Sequence, residues 1–367
     1  MKMHFAASLL ACSISALAVS ASADTIRATS GFGPNHAVAK DVYPTMFKKL
    51  EELTDGRWTG QDTPSGLVAP NEMSTGLRDG VTEFGALLMP YFVAEYPESV
   101  LVSELSMLGS NAAVVSSAVT EYIATCEPCQ AEFTRNGQIY LGSDTTPLYD
   151  LLSTKPVKTL DDMKGLKVRS GSPFYAAFIE SVGGAPVQMP SSELFESLSQ
   201  GVIDATFSSP HEIIANRLGD VVDYVTEIEQ GVFNGAAITT ASTMLWDRMD
   251  ADDRMALATA AQYGIATGMA AFDRQIEEVR AGDMVEFIEP DQSLIDARDS
   301  FNEERLANAA SILEERGVSD AQTKIDRYLA LIEKWEGLVT PGMSPEDLGA
   351  LRTEEIWSKI DLTSYGS

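Results

Sequence analysis

The alternation of apolar and polar positions is most regular between Asp161 and Pro210, where it predicts three short strands separated by two helices. The strands are expected at 166–169, 186–189 and 202–206, with a helix in each interval. Because parallel neighbours need a crossover and each helix supplies one, these strands are expected to pair in parallel. The fold class that follows is α/β.

The carboxyl ends of these predicted strands carry polar side chains. Arg169 ends the first strand, and Ser208 and Ser209 follow the third. Ligands of open α/β sheets bind in the crevice at this edge. The pattern therefore predicts a pocket that contains one guanidinium group and two hydroxyls.

A similar pattern precedes this stretch and continues after it. The loops after predicted strands carry Phe32, Asn35, His36 and Tyr91, which become site candidates on topology alone. Each has an ordinary alternative, since Asn35 and His36 can start a helix and Phe32 and Tyr91 can pack in a core. The other strands are predicted at 24–30, 82–88, 221–226 and 235–243, and a helix that reaches residue 54 contains Pro44, where a kink or break is expected.

Beyond Trp246 the chain reads as helical, and its apolar positions recur on one face, so this tail is expected to pack on the sheets. The helices are predicted at 251–288, 291–317, 321–335 and 345–360. The chain is long enough for about two domains. It shows no flexible linker, which predicts that crossing strands join the two domains.

The N-terminus has the pattern of a secretory signal peptide. Lys2 precedes an apolar segment at 5–19, and Ala21-Ser22-Ala23 is typical of a cleavage site, so residues 1–23 are predicted to be removed. One alternative is a lipoprotein processing site ending at Cys12. Either interpretation predicts an exported protein.

The charge of the chain is strongly acidic, with 54 acidic and 26 basic residues and a formal net charge of −28. A surface of this kind argues against a nucleic-acid partner bound through basic groups. It also repels anions at long range, so an anion site must depend on local donors.

The mature chain keeps two cysteines, Cys126 and Cys129. Haem attachment would need a histidine at position 130, which is Gln130, and a zinc site would need more ligands than the pair provides. Redox chemistry would need the pair to open a helix after a strand, whereas it follows a predicted helix. A local structural disulfide is the favoured interpretation for an exported chain. No cofactor or metal site is predicted.

Several motifs together resemble the solute-binding proteins of TRAP transporters, of the DctP type. The resemblance extends over the mature chain to about residue 320. It rests on LTDGR at 53–57, PSG at 64–66, LDDMKGLKVR at 160–169, MPSSE at 189–193 and LSQGVID at 198–204. The resemblance implies a two-lobed periplasmic binding protein fold, with hinge strands and a long helix that bridges the lobes.

The resemblance also implies how the chain is divided. The first lobe is expected at 24–146 with about 234–274, and the second at 147–233 with about 275–320. Residues from about 321 to 367 would form a C-terminal helical extension.

Arg169 matches the residue that pairs with the substrate carboxylate in this family, as a fork-to-fork contact that lysine cannot reproduce. The chain departs from the family pattern at two places. Tyr149 stands about where many relatives have a second arginine, and Ser208 or Ser209 replaces an asparagine. These departures predict a monocarboxylate with an apolar or aromatic body, in contact with Tyr149, Phe32, Tyr91 and Trp246. For Tyr149 and Trp246 the alternative is a pure packing role.

The function implied is a periplasmic binding protein that closes on a small organic carboxylate and delivers it to the membrane permease subunits of a TRAP transporter. The alternative is a ligand-sensing protein that reports to a membrane receptor through the same pocket. An enzyme is the third possibility, and the sequence shows no nucleophile–base motif, metal cluster or phosphate loop in its favour.

Overall fold

A computed structural model describes residues 23–366 and contains two β-sheets covered by helices. The predicted signal peptide and the alternative at Cys12 therefore lie outside the described residues, except for Ala23. The strands are β1 (Asp24–Thr29), β2 (Trp58–Asp62), β3 (Phe84–Leu88), β4 (Gln138–Tyr140), β5 (Asp150–Ser153), β6 (Lys167–Ser170), β7 (Ala185–Gln188), β8 (Ala205–Ser208), β9 (Tyr224–Thr226), β10 (Ala236–Ser242) and β11 (Glu286–Ile288).

The α-helices lie between and after these strands. They are α1 (Tyr43–Leu53), α2 (Met73–Arg78), α3 (Leu101–Glu104), α4 (Ala112–Ala124), α5 (Glu127–Arg135), α6 (Pro173–Ser181), α7 (Leu194–Ser199), α8 (Glu212–Ala215), α9 (Thr243–Trp246), α10 (Ala251–Ala281), α11 (Gln292–Glu315), α12 (Ala321–Leu338) and α13 (Pro345–Glu355).

The first sheet has the order β2-β1-β3-β10-β4. β1 pairs in parallel with β2 and β3, whereas β10 runs antiparallel to β3 and β4. β3 and β10 are buried along their whole length, as expected of central strands covered on both faces.

The second sheet has the order β11-β9-β5-β8-β6-β7. β6 pairs in parallel with both β7 and β8, which confirms the pairing predicted from the short crossovers. β5 is antiparallel to β8 and β9, so the sheet is mixed. Both sheets place the carboxyl ends of their parallel strands toward loops that carry the residues of interest.

Two antiparallel chain segments cross between the sheets. They meet at bridges between Asp144 and Ala236 and between Leu148 and Val232. These are the crossing strands predicted from the absence of a linker. Gly231 precedes the second segment with φ +103°, and a Cβ atom there would lie 2.2 Å from the Ser106 carbonyl oxygen, so only glycine fits this close approach.

Helix α10 connects the two halves of the molecule. Its 31 residues span about 46 Å at the usual rise of an α-helix. Leu257 and Ile265 belong to the large core that includes the first sheet, whereas Val279 packs in the smaller core beneath Leu152 and Val225 of the second sheet. The long bridging helix implied by the resemblance is confirmed. The residue boundaries of the lobes stay predictions.

The prediction of one helix over 251–288 is wrong at its end. α10 stops at Ala281, and Gly282 caps it in an extended conformation. The residues that follow form β11, which pairs in parallel with β9. Glycine at a helix terminus is a common stop signal, and here it frees the chain to add an edge strand.

The kink or break expected at Pro44 corresponds to a change of helix type just before it, while the backbone stays helical. A π-helical turn at Val38–Val42 leads into α1, and Pro44 lies in the first turn of that α-helix. Proline is tolerated there because the first amides of a helix have no intrahelical acceptor.

The predicted disulfide between Cys126 and Cys129 is confirmed, and it lies where α5 begins. Among the described residues, no helix is long and apolar enough to span a bilayer.

Helix α11 packs across both halves of the molecule. The ring of Phe301 meets Phe174 and Phe178 of α6 edge-on, at centroid distances of 5.6 and 5.3 Å. Farther along α11, Arg305 and the adjoining Arg316 both contact the buried carboxylate of Glu104 in α3. The tail thus packs on the sheets and their helices, as its amphipathic pattern predicts.

We expect Glu104→Gln to lower the free energy of unfolding by on the order of 3 kcal/mol, because it leaves two guanidinium groups without their shared carboxylate. Urea titration followed by circular dichroism measures the loss. Glu303→Gln, an exposed change on α11, is the matched control. A loss of under 1 kcal/mol for Glu104→Gln would mean that the contact behaves as an ordinary exposed ion pair.

Candidate functional site

Arg169 lies in β6, and its side chain is buried with 2% exposure. Nε donates to the Met189 carbonyl oxygen at 2.9 Å, and Nη2 donates to the Tyr91 hydroxyl at 3.0 Å. No carboxylate of residues 23–366 lies within ion-pair distance of it. These two bonds use part of a group with five N–H donors, so the guanidinium can still receive an anion.

Glycine at position 171 keeps space beside the guanidinium group. A Cβ atom there would lie 3.1 Å from both Nη1 and Nη2 of Arg169, which is tighter than most real contacts. Any other residue at 171 would crowd the charged end of Arg169. The local sequence Arg169-Ser170-Gly171 therefore leaves the fork of the arginine accessible.

Tyr91 links the two lobes at this point. It ends the 3₁₀ turn Met89–Tyr91 after β3 of the first sheet. Its hydroxyl accepts from Arg169 and also from the Ser191 amide at 3.3 Å, and both of these partners belong to the second-sheet half. The Tyr91 hydroxyl thus connects the two sides of the crevice through two hydrogen bonds.

A cavity of about 30 Å³ lies beside these groups. That volume is far below what a small organic ligand fills, so such a ligand can enter only if the lobes separate. Its walls come from both sheets, both crossing segments and α10. They consist of Phe32, His36, Val38, Leu88, Tyr91, Asp144, Thr146, Tyr149, Arg169, Ser191, His211, Glu212, Phe233, Ala236, Ile238 and Phe272.

Aromatic rings make up much of the wall. Tyr149 stacks between Tyr175 and Phe233, at centroid distances of 4.8 and 5.7 Å. Phe32 stacks on His36 at 4.0 Å with nearly parallel planes. Flat walls of this kind suit a planar or apolar ligand body.

Two buried histidines are held in the neutral form. His36 Nδ1 accepts a hydrogen bond from the Val38 amide at 3.2 Å, which places the proton of the neutral ring on Nε2. Burial lowers the pKa of His36 to about 3. Burial also lowers the pKa of His211 well below its usual value, and neither ring nitrogen of His211 has a hydrogen-bond partner in the described part of the chain.

Two carboxyl groups share the cavity wall. Burial raises the pKa of Glu212 to about 7, opposed by the charge of Arg169, and Asn216 Nδ2 donates to its Oε2 at 2.5 Å. Burial likewise raises the pKa of Asp144 to about 7, opposed by the charge of Arg352. The site thus combines one permanent cation with two acids that are partly protonated at neutral pH.

His36, His211 and Glu212 offer ligand atoms that all lie within 4.8 Å of one another. Two features oppose a metal ion there. His36 would lose its bond from Val38 if its proton moved to Nδ1, and the charge of Arg169 acts on the same carboxyl group. We therefore treat these three side chains as hydrogen-bonding groups.

The structure brings five of the predicted site residues to the cavity, namely Arg169, Tyr149, Phe32, His36 and Tyr91. Ser208 and Ser209 are buried at the end of β8, outside the wall. Ser208 lies beside the Tyr149 hydroxyl, and the Ser209 carbonyl accepts from the Glu212 amide.

Two predicted residues do not reach the cavity. The side chain of Asn35 is exposed, and only its carbonyl oxygen is engaged, by Gln275. Trp246 is buried elsewhere in the first lobe, where its Nε1 donates to the Tyr365 carbonyl at 3.0 Å. The C-terminal segment covers this indole, which packs in the core away from the cavity.

The sequence reasoning missed Asp144, His211, Glu212, Phe233 and Phe272. His211 and Glu212 directly follow Ser208-Ser209-Pro210, so the strand-end argument would have found them if extended by two residues. Asp144 and Phe233 lie on the crossing segments, which the prediction treated only as connections. Phe272 lies in the middle of α10, where its burial looks like ordinary packing.

The model of the DctP family, described as bacterial extracellular solute-binding protein family 7, matches residues 30–289. A curated relative, the uncharacterized protein YiiZ of Salmonella typhimurium, is 24% identical over 275 residues, which cover 70% of this chain and 78% of the relative.

Two solved structures share the fold. A TRAP periplasmic solute-binding protein from Bordetella bronchiseptica with bound (R)- and (S)-mandelate has a TM-score of 0.73 and 22% identity, over 85% of this chain and 99% of that one. A TRAP solute-binding protein from Rhodoferax ferrireducens with copurified benzoate has a TM-score of 0.72 and 19% identity, over 86% and 100% of the two chains.

The raised pKa of Glu212 implies that the free energy of unfolding depends on pH. The folded protein keeps this proton up to about pH 7, whereas the unfolded chain releases it near the ordinary glutamate pKa of 4.5. The proton therefore stabilises the fold at low pH, and this contribution is lost as pH rises from about 4.5 through 7. The shift corresponds to on the order of 3 kcal/mol.

We expect Glu212→Gln to be more stable than the natural protein at pH 8, by up to that amount, and nearly equal to it at pH 4.5. Urea unfolding at the two pH values tests this, with the exposed change Glu314→Gln as control. An equal effect of Glu212→Gln at both pH values would contradict the assignment of a buried, protonated carboxyl.

Proposed function

Since the chain belongs to family 7 of the bacterial extracellular solute-binding proteins, we propose that it captures a small organic monocarboxylate beside Arg169 and delivers it to the membrane permease of a TRAP transporter. The observation that carries this proposal is the Arg169 guanidinium, which is buried and has no carboxylate within ion-pair distance among residues 23–366. A ligand carboxylate can supply a bidentate partner for it. With its predicted signal peptide, the protein would act in the periplasm.

A single carboxylate fits the charges of the site better than two. Arg169 is the only lysine or arginine among the described residues that line the cavity. Asp144 and Glu212 lie on the same wall, and a second ligand carboxylate would meet them in a buried, weakly screened environment. This arrangement supports a monocarboxylate and opposes dicarboxylates.

The rest of the ligand would be apolar or aromatic. Tyr149, Phe32, Phe233 and Phe272 supply flat apolar surface around the anchor. The Bordetella and Rhodoferax neighbours were crystallised with mandelate and benzoate, which are monocarboxylates with an aromatic ring. Their ligands support the proposed class without naming the ligand of this chain.

Binding would proceed by opening and closing of the lobes. The two crossing segments that meet at Asp144–Ala236 and Leu148–Val232 are positioned to serve as hinges. Tyr91 touches Arg169 and Ser191 on the opposite side of the crevice, so its hydroxyl stabilises the closed arrangement. Ligand contacts with both sides would shift the population toward that arrangement.

We expect Arg169→Ala to weaken carboxylate binding by on the order of 3 kcal/mol, or roughly 100-fold, because the desolvated carboxylate loses its charged partner. Arg169→Lys should recover only part of this loss, since an ammonium group cannot form the forked pair. Isothermal titration calorimetry with a ligand that binds the natural protein measures both. Unchanged affinity in Arg169→Ala would overturn the proposed anchor.

The ligand class can be tested by thermal shift. Benzoate, phenylacetate and mandelate should raise the melting temperature of the purified protein, whereas succinate and malate should not, because binding to the folded state stabilises it by an amount that grows with the logarithm of ligand concentration over Kd. Each compound is also tested on Arg169→Ala, where a true site ligand loses its effect. Stabilisation by the dicarboxylates alone would exclude the monocarboxylate proposal.

A further inference from the structure

The cavity wall contains two buried carboxyl groups, which a ligand with only a carboxylate would not use. Glu212 and Asp144 are 5% and 4% exposed, and both line the same small space as Arg169. Within the described part of the chain, neither forms an ion pair with a lysine or an arginine. Beside Glu212, both ring nitrogens of the 1% exposed His211 lack a hydrogen-bond partner in that same part. Buried groups of this kind usually have partners, so the wall offers polar contacts to something that enters it.

We propose that the preferred ligand carries a protonated amine next to its carboxylate, and that Glu212 is the partner of this ammonium group. The ligand class is then an α-amino or cyclic imino acid with an apolar or aromatic side chain. This inference rests on the proposed function, because it assumes that Arg169 holds the ligand carboxylate.

Of the two carboxyl groups, Glu212 is the one positioned to contact a group next to the ligand carboxylate. The charge of Arg169 acts on the carboxyl of Glu212, whereas the charge that acts on Asp144 is that of Arg352. The carboxylate and ammonium of an α-amino acid are attached to one carbon atom. A single ligand held by Arg169 can therefore bring its ammonium to Glu212.

The carboxyl of Glu212 is oriented by its neighbours. Asn216 Nδ2 donates to Oε2 at 2.5 Å, and Oε1 lies 3.9 Å from Nε2 of His211, beyond hydrogen-bond distance. One oxygen is thus fixed and the other is left to accept from a donor. An ammonium group has three N–H donors, and Glu212 Oε1 and the one unprotonated ring nitrogen of neutral His211 can accept from them.

The balance of charge favours an ammonium group over a hydroxyl. A plain carboxylate neutralises Arg169 and adds repulsion on Glu212, which must then stay protonated. A zwitterion adds no net charge, and its two ends match Arg169 and an ionised Glu212. A hydroxyl can also donate to Glu212 but brings no charge to offset a buried carboxylate, which is costly when unpaired.

Aromatic rings near Glu212 and His211 also favour an ammonium group. Phe272 lies 4.4 Å from the His211 ring, and Phe32 stacks on His36, whose ring is 5.8 Å from that of His211. A cation held beside Glu212 would lie among these rings, and a desolvated cation is attracted to such faces.

The test uses two series in which one group on the α-carbon changes and the rest of the ligand does not. The first consists of phenylacetate, mandelate and phenylglycine, and the second of 4-methylpentanoate, 2-hydroxy-4-methylpentanoate and leucine. Affinities are measured by calorimetry at pH 7.5 on the natural protein, on Glu212→Gln and on the exposed control Glu314→Gln.

We expect the amino member of at least one series to bind tenfold or more tightly than its hydroxy counterpart. Glu212→Gln should reduce that ratio at least tenfold, and Glu314→Gln should leave the ratio unchanged. If Glu212→Gln fails to fold, Glu212→Asp withdraws the carboxylate while keeping its charge, and the same ratio should fall.

Two results would overturn the inference. One is tighter binding of the hydroxy or unsubstituted acid in both series, and the other is an amino-to-hydroxy ratio that does not respond to Glu212. Plain acids that bind while amino acids do not would leave the proposed function standing. Failure of every member of both series to bind the natural protein would count against the proposed function itself.

Discussion

The buried charge of Arg169 is the constraint on which the rest of the site depends. A guanidinium group with 2% exposure loses most of its hydration, and within residues 23–366 only a carbonyl oxygen and a phenol bond to it. Neither of these groups neutralises the charge, so Arg169 is a buried cation whose missing counter-ion a bound anion can supply. β6 fixes the backbone of Arg169, the residue after β7 supplies the Met189 carbonyl, and the opposite lobe supplies Tyr91. The surroundings that bury Arg169 are therefore complete only when the lobes meet.

The same contacts explain how binding and lobe motion can be coupled. The Tyr91 hydroxyl bonds across the crevice to Arg169 and to the Ser191 amide, while the crossing segments behind the cavity supply Asp144 and Phe233 to its wall. Residues of the hinge region are thus also residues of the pocket. A ligand that touches them acts directly on the segments whose backbone angles must change when the lobes move. Helices α10 and α11 each pack against both halves of the molecule.

Local pattern was enough to predict the parts of the fold that depend on neighbours in sequence. Short crossovers required the parallel order of β6, β7 and β8, and the strand-end rule brought Arg169, Phe32, His36 and Tyr91 to the site. Local pattern failed where segments distant in sequence determine which residues line the cavity or form a strand. Trp246 is covered by the C-terminal segment, and Phe272 becomes a wall residue only because α10 passes the crevice. β11 forms because β9 offers an edge, which no periodicity within 282–288 could reveal.

Raised pKa values alone do not mark the functional acids of this molecule. Asp150 is as buried as Asp144 and Glu212, and burial raises its pKa to about 7 as well. Asp150, however, accepts from the Glu229 amide and so holds the turn after β9, which is a structural role. Glu212 lines the cavity beside His211, whose ring nitrogens have no hydrogen-bond partner among residues 23–366, and burial of Glu212 raises its pKa, which costs stability near neutral pH. An isosteric glutamine would avoid that cost and could still accept from Asn216. A carboxyl that destabilises the fold and faces the ligand space is best explained by what it binds.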